Sequence, residues 1–208
     1  MIDRIDVEDG IENAVKIRTG INLNSGDEQN NARIQHNWYV CSHRPDGHHL
    51  TTGHVLLIED CLWVCLTPAC DMEIREGQKN RRGEYYSPAL PFKAVQLHKA
   101  NSTTALANIT SNLYLFLDVG KGIEAFSFVE DVKTEPAPHW LEMYAHNQSE
   151  FQETLSLNVS IPSNTDDEWK PVFVEREAQI VAQLRYEYAI NLMQRLGSNL
   201  SRIGLEFV

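Results

Sequence analysis

The chain has 208 residues, of which 42% are hydrophobic, and a formal net charge of −11. This length suits one domain, and the composition is that of a globular protein and excludes a wholly disordered chain. The negative charge makes direct nucleic-acid binding unfavourable, because affinity for phosphates comes from cations that release counterions, and it favours a basic partner.

The sequence contains no apolar run long enough to span a membrane as a helix, which needs about 18 residues. Its first residues lack the cationic start and apolar core of a secretory signal. We therefore expect a cytoplasmic protein that does not associate with membranes. Four cysteines lie close together, at Cys41, Cys61, Cys65 and Cys70. Because the cytoplasm is reducing, we expect free thiols.

Residues 1–33 are predicted to form an N-terminal helix followed by a loop. Asp6–Arg18 places apolar residues at helical spacing and acidic residues in the first turn, where the helix dipole favours them. Asn22–Arg33 is rich in Asn, Ser, Gly, Asp and Gln, which predicts an exposed connection.

The middle of the chain carries short β-prone runs separated by turn residues. Gly53–Ile58 and Leu62–Leu66 are separated by Glu59-Asp60-Cys61, and this spacing predicts a hairpin. Val119-Gly120-Lys121-Gly122 predicts a second hairpin turn. The remaining runs are Trp38–Cys41, Ala94–Leu97, Leu113–Asp118, Ile123–Val129, Leu141–Ala145 and Glu153–Val159. The series predicts a mainly β (α+β) fold, a small β-barrel or sandwich with its core over residues 34–162.

Residues 163–208 are predicted to form a long C-terminal helix that packs on the barrel within one domain. Apolar residues recur there at helical spacing, at Val181, Leu184, Tyr188, Leu192 and Leu196, and the pattern ends near Gly197. Ile180, Ile190 and Met193 add apolar surface beside this stripe. We therefore expect the helix to be covered on two sides, by the barrel and by a partner.

The histidines and cysteines between residues 41 and 70 are candidate zinc ligands. Zinc takes about four thiolate or imidazole ligands, and the candidates are Cys41, His43, His48, His49, His54, Cys61, Cys65 and Cys70. The set that spacing favours is Cys41, His43 and Cys70, because alternate strand positions share a face. The alternative is that Cys61 and Cys65 are small buried hydrophobic residues. On that interpretation, which we prefer, the protein needs no cofactor.

Cys70 is also a candidate nucleophile, with Asp71 beside it and a histidine supplied by the loop of His48 and His49. Catalysis by a thiolate needs a base or a positive field that lowers the thiol pKa. A neighbouring carboxylate acts in the opposite direction. The structural alternative is that Asp71 caps the turn after Pro68 while Cys70 packs inward.

One basic patch interrupts the acidic sequence, formed by Arg75, Lys79, Arg81 and Arg82. Such a patch could hold a scissile phosphate, as in small β-barrel nuclease toxins. It also fits a solvated loop. A further alternative is that the acidic surface mimics nucleic acid and inhibits a basic enzyme.

Two short motifs resemble those of a little-characterised bacterial family. They are Thr67-Pro68-Ala69-Cys70-Asp71 after an apolar strand, and Arg202-Ile203-Gly204 after the C-terminal helix. Members of the family are β-barrel modules, some joined to or encoded beside response-receiver domains and sensor-ATPase proteins in antiphage islands. The resemblance implies a regulatory or adaptor role in bacterial defence, and it supplies no catalytic residues.

The sequence therefore favours a non-enzymatic subunit that binds a protein partner through its C-terminal helix and the loop between His43 and His54. The motif residues Thr67, Pro68, Cys70, Asp71, Arg202 and Gly204 are expected to have binding or structural roles. Gly204 predicts a turn that folds the chain end back, so that Arg202 pairs with Asp71 or a neighbouring carbonyl. The rival class is a nuclease toxin or a cysteine- or zinc-dependent hydrolase centred on Cys70 and Asp71.

Overall fold

The computed structural model describes residues 26–72, 89–111, 113–130, 138–151, 154–163 and 172–200. In these residues the helices are α1 (Gly26–Cys41), α2 (Ala69–Met72), α3 (Ser102–Ala107) and α4 (Tyr186–Leu200). The strands are β1 (Ser42–His43), β2 (His54–Ile58), β3 (Cys61–Cys65), β4 (Leu90–Ala100), β5 (Tyr114–Asp118), β6 (Ile123–Ser127), β7 (Trp140–Ala145), β8 (Ser156–Ser163) and β9 (Val172–Leu184). No helix of the described residues is long and apolar enough to cross a membrane.

Six antiparallel strands close into a barrel in the order β3-β2-β9-β8-β7-β4, and pairing of β3 with β4 completes the ring. The predicted mainly β fold with a small barrel and a C-terminal helix is confirmed. Side chains at alternate strand positions fill the interior. This inner core includes Leu56, Ile58, Trp63, Cys65, Phe92, Ala94, Met143, Val159 and Ile180.

The predicted hairpin of β2 and β3 is confirmed, with Val55 paired to Val64 and Ile58 to Cys61. Both faces of this hairpin are buried, because a second apolar layer covers the outside of the barrel. That layer consists of the β5–β6 hairpin and α4, and its core includes Val55, Val64, Leu97, Leu117, Phe126, Leu184, Ala189, Leu192 and Leu196. Burial on both faces explains why these strands are continuous apolar runs rather than alternating ones.

The polar segment before residue 34 contradicts the prediction of a loop. From Gly26 the chain is helical, and Trp38–Cys41, predicted as a strand, is the last turn of the same helix. Ile34 and Trp38, four residues apart, pack with Phe116 in a third apolar cluster. Tertiary packing on one helix face thus overrides the weak helix propensity of the Asn- and Gln-rich sequence. The predicted helix Asp6–Arg18 lies outside the described residues.

The predicted C-terminal helix begins later than its apolar spacing suggests. Val181 and Leu184 belong to β9, and α4 begins at Tyr186 and continues past Gly197 to Leu200. In β9 the residues Ala178, Ile180, Ala182 and Leu184 are buried at every second position. The barrel therefore extends beyond the predicted range 34–162, because β9, one of its six strands, ends at residue 184.

Candidate functional site

A well-defined concavity lies between the turn after β3 and the first half of α4. We call this cavity of about 590 Å³ the helix cleft. Its lining residues are His43, Thr51, Thr52, Pro68, Ala69, Cys70, Gln183, Leu184, Tyr186, Ile190 and Met193. The predicted motif turn and His43 thus meet the residues of α4 that lie beside its main apolar stripe.

Thr67 holds the motif turn that forms one wall of the cleft. Its hydroxyl accepts a hydrogen bond from the Lys93 backbone N–H at 2.8 Å, and its carbonyl accepts one from the Thr52 hydroxyl at 3.0 Å. Pro68 then stops the strand, and its carbonyl accepts the Asp71 N–H at 3.0 Å. The turn therefore has fixed partners on β4 and on the loop before β2.

Gly53 brings the opposite wall of the cleft into close contact with the barrel. Its N–H donates to the Cys65 carbonyl at 2.8 Å, and its carbonyl accepts the Leu184 N–H at 2.7 Å. Gly53 has a φ of +93°, and a Cβ at this position would lie 2.8 Å from the Leu184 carbonyl oxygen. Only glycine combines this backbone conformation with so close an approach.

His54 is fully buried beneath the cleft and ties down the loop before it. Its Nδ1 accepts the Thr51 N–H at 3.0 Å, and its Nε2 lies 3.1 Å from the Asp46 carbonyl oxygen. One neutral tautomer satisfies both bonds, with Nδ1 as acceptor and Nε2–H as donor. Burial lowers the pKa of His54 to about 4. His54 is therefore a structural residue, and neither nitrogen is free to bind zinc.

Cys70 lines the cleft with an exposed thiol, so the expectation that it packs inward is wrong. The thiol donates to the Asp71 carboxylate at 3.6 Å. His43 lines the same cavity, but its Nδ1 lies 2.6 Å from the Arg44 carbonyl oxygen. The structure brings Cys70 and His43 to one cavity without a hydrogen bond between them.

Cys41 does not line the cleft. It is buried in the outer core, where burial raises the pKa of its thiol. In the described parts of the chain, no group of three or more His, Cys, Asp or Glu side chains is placed to hold a metal ion. The structure therefore does not assemble Cys41, His43 and Cys70 into a zinc site.

The two remaining cysteines differ from each other. Cys65 is fully buried, as expected, and burial raises its pKa to about 12. Cys61 is exposed at the start of β3, which contradicts the expectation that it is a buried hydrophobic residue. Cys61 lies on the same face as Trp63 and Cys65, but at the first position of β3 next to the hairpin turn, where the side chain is exposed.

Two exposed tyrosines form a rim beside the cleft. Tyr39 is 67% exposed and Tyr186 is 68% exposed. The Arg185 guanidinium lies 5.2 Å from the centroid of the Tyr39 ring, and its Nε donates to the Tyr39 carbonyl at 3.0 Å. Sequence analysis missed this rim, because Arg185 joins the end of α1 to the start of α4 across 146 residues of sequence.

Several predicted site residues lie outside the described residues. They are Arg202 and Gly204 of the second motif and the basic patch Arg75, Lys79, Arg81 and Arg82. The pairing of Arg202 with Asp71 therefore stays a prediction.

Comparison of the chain with family models, with curated proteins and with solved structures gave no match.

Proposed function

We propose that this protein is a regulatory or adaptor subunit that binds a partner protein through the helix cleft, in a cytoplasmic assembly of bacterial defence or signalling. The observation that carries the proposal is the placement of two exposed tyrosines and an arginine beside an apolar cavity. Tyr39 and Tyr186 are 67% and 68% exposed. Binding hot spots of protein interfaces are enriched in Tyr, Trp and Arg.

The cleft suits an apolar anchor side chain from a partner segment. Its volume of about 590 Å³ lies within the range of about 300–1,000 Å³ typical of binding pockets. Leu184, Ile190 and Met193 offer apolar contact. The Thr52 hydroxyl already donates to the Thr67 carbonyl, and it retains lone pairs that can accept a backbone N–H of the partner.

Charge and resemblance support the rest of the proposal. The net charge of −11 favours a basic partner segment over nucleic acid. The setting in bacterial defence is supported by the resemblance of the Thr-Pro-x-Cys-Asp motif, whose Pro68, Ala69 and Cys70 line the cleft.

A cysteine hydrolase is the second candidate, and it is favoured by the common cavity of Cys70 and His43. The hydrogen bond from the thiol to Asp71 weighs against it, because thiolate attack needs a base or a positive field at the sulfur, whereas the group in contact here is a carboxylate. Cys61 is an internal reference, since it is also exposed. An adaptor predicts alkylation of Cys70 by iodoacetamide at pH 7 at a rate similar to that of Cys61. An activated nucleophile predicts a rate at least about tenfold higher.

The decisive test of the adaptor places a charge inside the cleft. Met193→Glu introduces a carboxylate into the cavity, whereas Gln194→Glu makes the same charge change at the exposed neighbouring position of α4. Each tagged protein is used to capture partners from the native host, with quantification by mass spectrometry. We expect a partner that the wild type and Gln194→Glu retain and that Met193→Glu loses by at least about tenfold, because the new charge is left without a counterion.

The captured partner is then tested directly. A photoreactive phenylalanine analogue at position 186 is expected to crosslink to one segment of that partner. Identical capture by all three proteins, or no captured protein in the wild-type sample, would show that the cleft is not a partner site.

A further inference from the structure

A second cavity lies on the other flank of α4, between that helix and the first residues of β5. We call this cavity of about 270 Å³ the tyrosine pocket, and it is lined by Tyr114, Leu115, Glu187, Tyr188, Asn191 and Leu192. At 3.6 residues per turn, its α4 residues lie on the side of the helix opposite Tyr186, Ile190 and Met193. The tyrosine pocket is therefore separate from the helix cleft.

The lining of the tyrosine pocket combines three kinds of group. Tyr114 and Tyr188 are aromatic. Leu115 and Leu192 are 4% and 3% exposed and supply an apolar base. Glu187 is exposed and supplies a negative charge.

The charge of Glu187 has no partner within the described residues. The ion pairs found there join other side chains: His49 with Glu150, Lys99 with Glu124, and Arg176 with Glu59. A carboxylate beside two aromatic rings therefore remains available to an external cation.

Arg195, the cation of α4, is already bound elsewhere. Arg195 donates from Nε to the Asn191 side-chain oxygen at 2.9 Å and from Nη2 to the Ser111 carbonyl at 3.1 Å. Its guanidinium also lies 5.3 Å from the centroid of the Phe128 ring. Arg195 is not among the residues that line the pocket.

We propose that the tyrosine pocket binds an alkylammonium group, such as the side chain of a lysine or a methylated lysine in a basic protein. Aromatic faces attract such cations through their quadrupoles, most strongly where water is partly excluded. The carboxylate of Glu187 compensates the charge, and the two leucines contact the methylene stem. The inference does not depend on the helix cleft, because it concerns other residues and another face of the helix.

The test uses small probes and the full chain. Butyltrimethylammonium and N-acetyl-lysine methylamide are titrated into ¹⁵N-labelled protein at low ionic strength, and amide chemical shifts are followed by NMR. The neutral control probe is the lysine amide acetylated on Nζ. We expect saturable shifts that map to residues around Tyr114 and Glu187, weaker binding in high salt because exposed charges are screened, and no binding of the neutral probe.

Variants then assign the site. Glu187→Gln removes the charge from an exposed position, and Tyr114→Leu removes one ring; each is expected to weaken binding by about fivefold or more. Tyr114→Phe keeps the aromatic face and is expected to retain affinity. Glu177→Gln, at an exposed position of β9, is the matched charge control and is expected to leave binding unchanged.

Three results would overturn the proposal. They are shifts that map away from the tyrosine pocket, equal binding of the neutral probe, and equal affinity of Glu187→Gln and Glu177→Gln. Because no partner protein is used, these results leave the adaptor proposal for the helix cleft unaffected.

Discussion

Replacing His54 by asparagine is expected to remove a large part of the pH dependence of stability. In the folded protein, burial lowers the pKa of His54 to about 4 from an ordinary value of 6.5. As the pH falls, the unfolded chain therefore takes up a proton before the folded one does. The stabilisation due to neutral His54 is complete above pH 6.5 and is lost progressively between pH 6.5 and 4.

The magnitude follows from the size of the pKa difference. A change of one pKa unit corresponds to about 1.4 kcal/mol, so the full contribution of His54 is about 3 kcal/mol. About 2 kcal/mol of it is lost between pH 7 and pH 5, a range that avoids most carboxyl titration. The main cause is burial, which penalises the charged ring. A protonated ring would also place a second N–H against the Thr51 N–H, which Nδ1 accepts at 3.0 Å.

The assay is urea denaturation followed by tryptophan fluorescence at a series of pH values. Asparagine can accept the Thr51 N–H without titrating, although it loses the ring contact with Phe151, whose centroid lies 5.3 Å away. His36→Asn, at an exposed position of α1, is the matched control. His98, whose pKa burial also lowers, is present in every protein and cancels in the comparison. A wild-type pH dependence that persists in His54→Asn would refute the reasoning.

Three further predictions concern the residues around the cleft. Gly53→Ala is expected to lower the free energy of unfolding, measured by urea denaturation, by about 2 kcal/mol more than Gly47→Ala. The two glycines have similar φ of +93° and +87°, but only at Gly53 would the added Cβ lie 2.8 Å from a carbonyl oxygen. Equal losses in the two variants would contradict the close approach. Thr67→Val is expected to cost about 1 kcal/mol through loss of the acceptor for the Lys93 N–H, while Val at an exposed threonine of α3, position 103, should cost less than half of that in the same assay. An aromatic disulfide reagent is expected to modify two thiols rapidly in the native protein and all four only in denaturant, because two cysteines are buried and two are exposed; rapid reaction of all four would show that the barrel core opens readily.

The barrel was predictable where local sequence and tertiary environment agree. The β2–β3 hairpin has apolar, β-branched runs on both sides of a polar turn, and the turn residue Glu59 adopts a positive φ of 54°. The β5–β6 hairpin has two glycines at positive φ, Gly120 and Gly122, at the predicted turn. In both places the two strands pair with each other, so all the residues that predict the hairpin lie in one short segment.

The sequence misleads where the spacing of apolar residues fits both a helix and a strand, or where the helix propensity of a segment is weak. Val181, Leu184 and Tyr188 fit a helix, but the buried residues Ala178, Ile180 and Ala182 fit a strand equally well. Only pairing with β2 and β8 decides for the strand. The α1 helix is mainly polar, and its packing partners come from distant β5 and β6, so nothing local indicates it.

One wall of the candidate site could be predicted from the sequence, and the other could not. The motif turn and His43 are visible in the sequence, since proline and cysteine follow an apolar strand there. Their counterparts, Gln183 and Tyr186, come from the end of β9 and the start of α4. The sequence predicted a helix that begins before residue 184. Gln183 and Tyr186 would then both lie on the surface of one helix, so the cavity could not be predicted.

Arg185 connects the cleft to its aromatic rim, and this explains why the two form one surface. A helix ends with carbonyl groups that lack partners, and a cation near this end is favourable. Arg185 satisfies two such carbonyls of α1: its backbone N–H donates to Cys41 at 2.8 Å and its Nε donates to Tyr39 at 3.0 Å. Its own carbonyl accepts the Tyr188 and Ala189 N–H groups in the first turn of α4. The end of α1 and the start of α4 are thus fixed by one residue, which sets the distance between Tyr39 and the cleft.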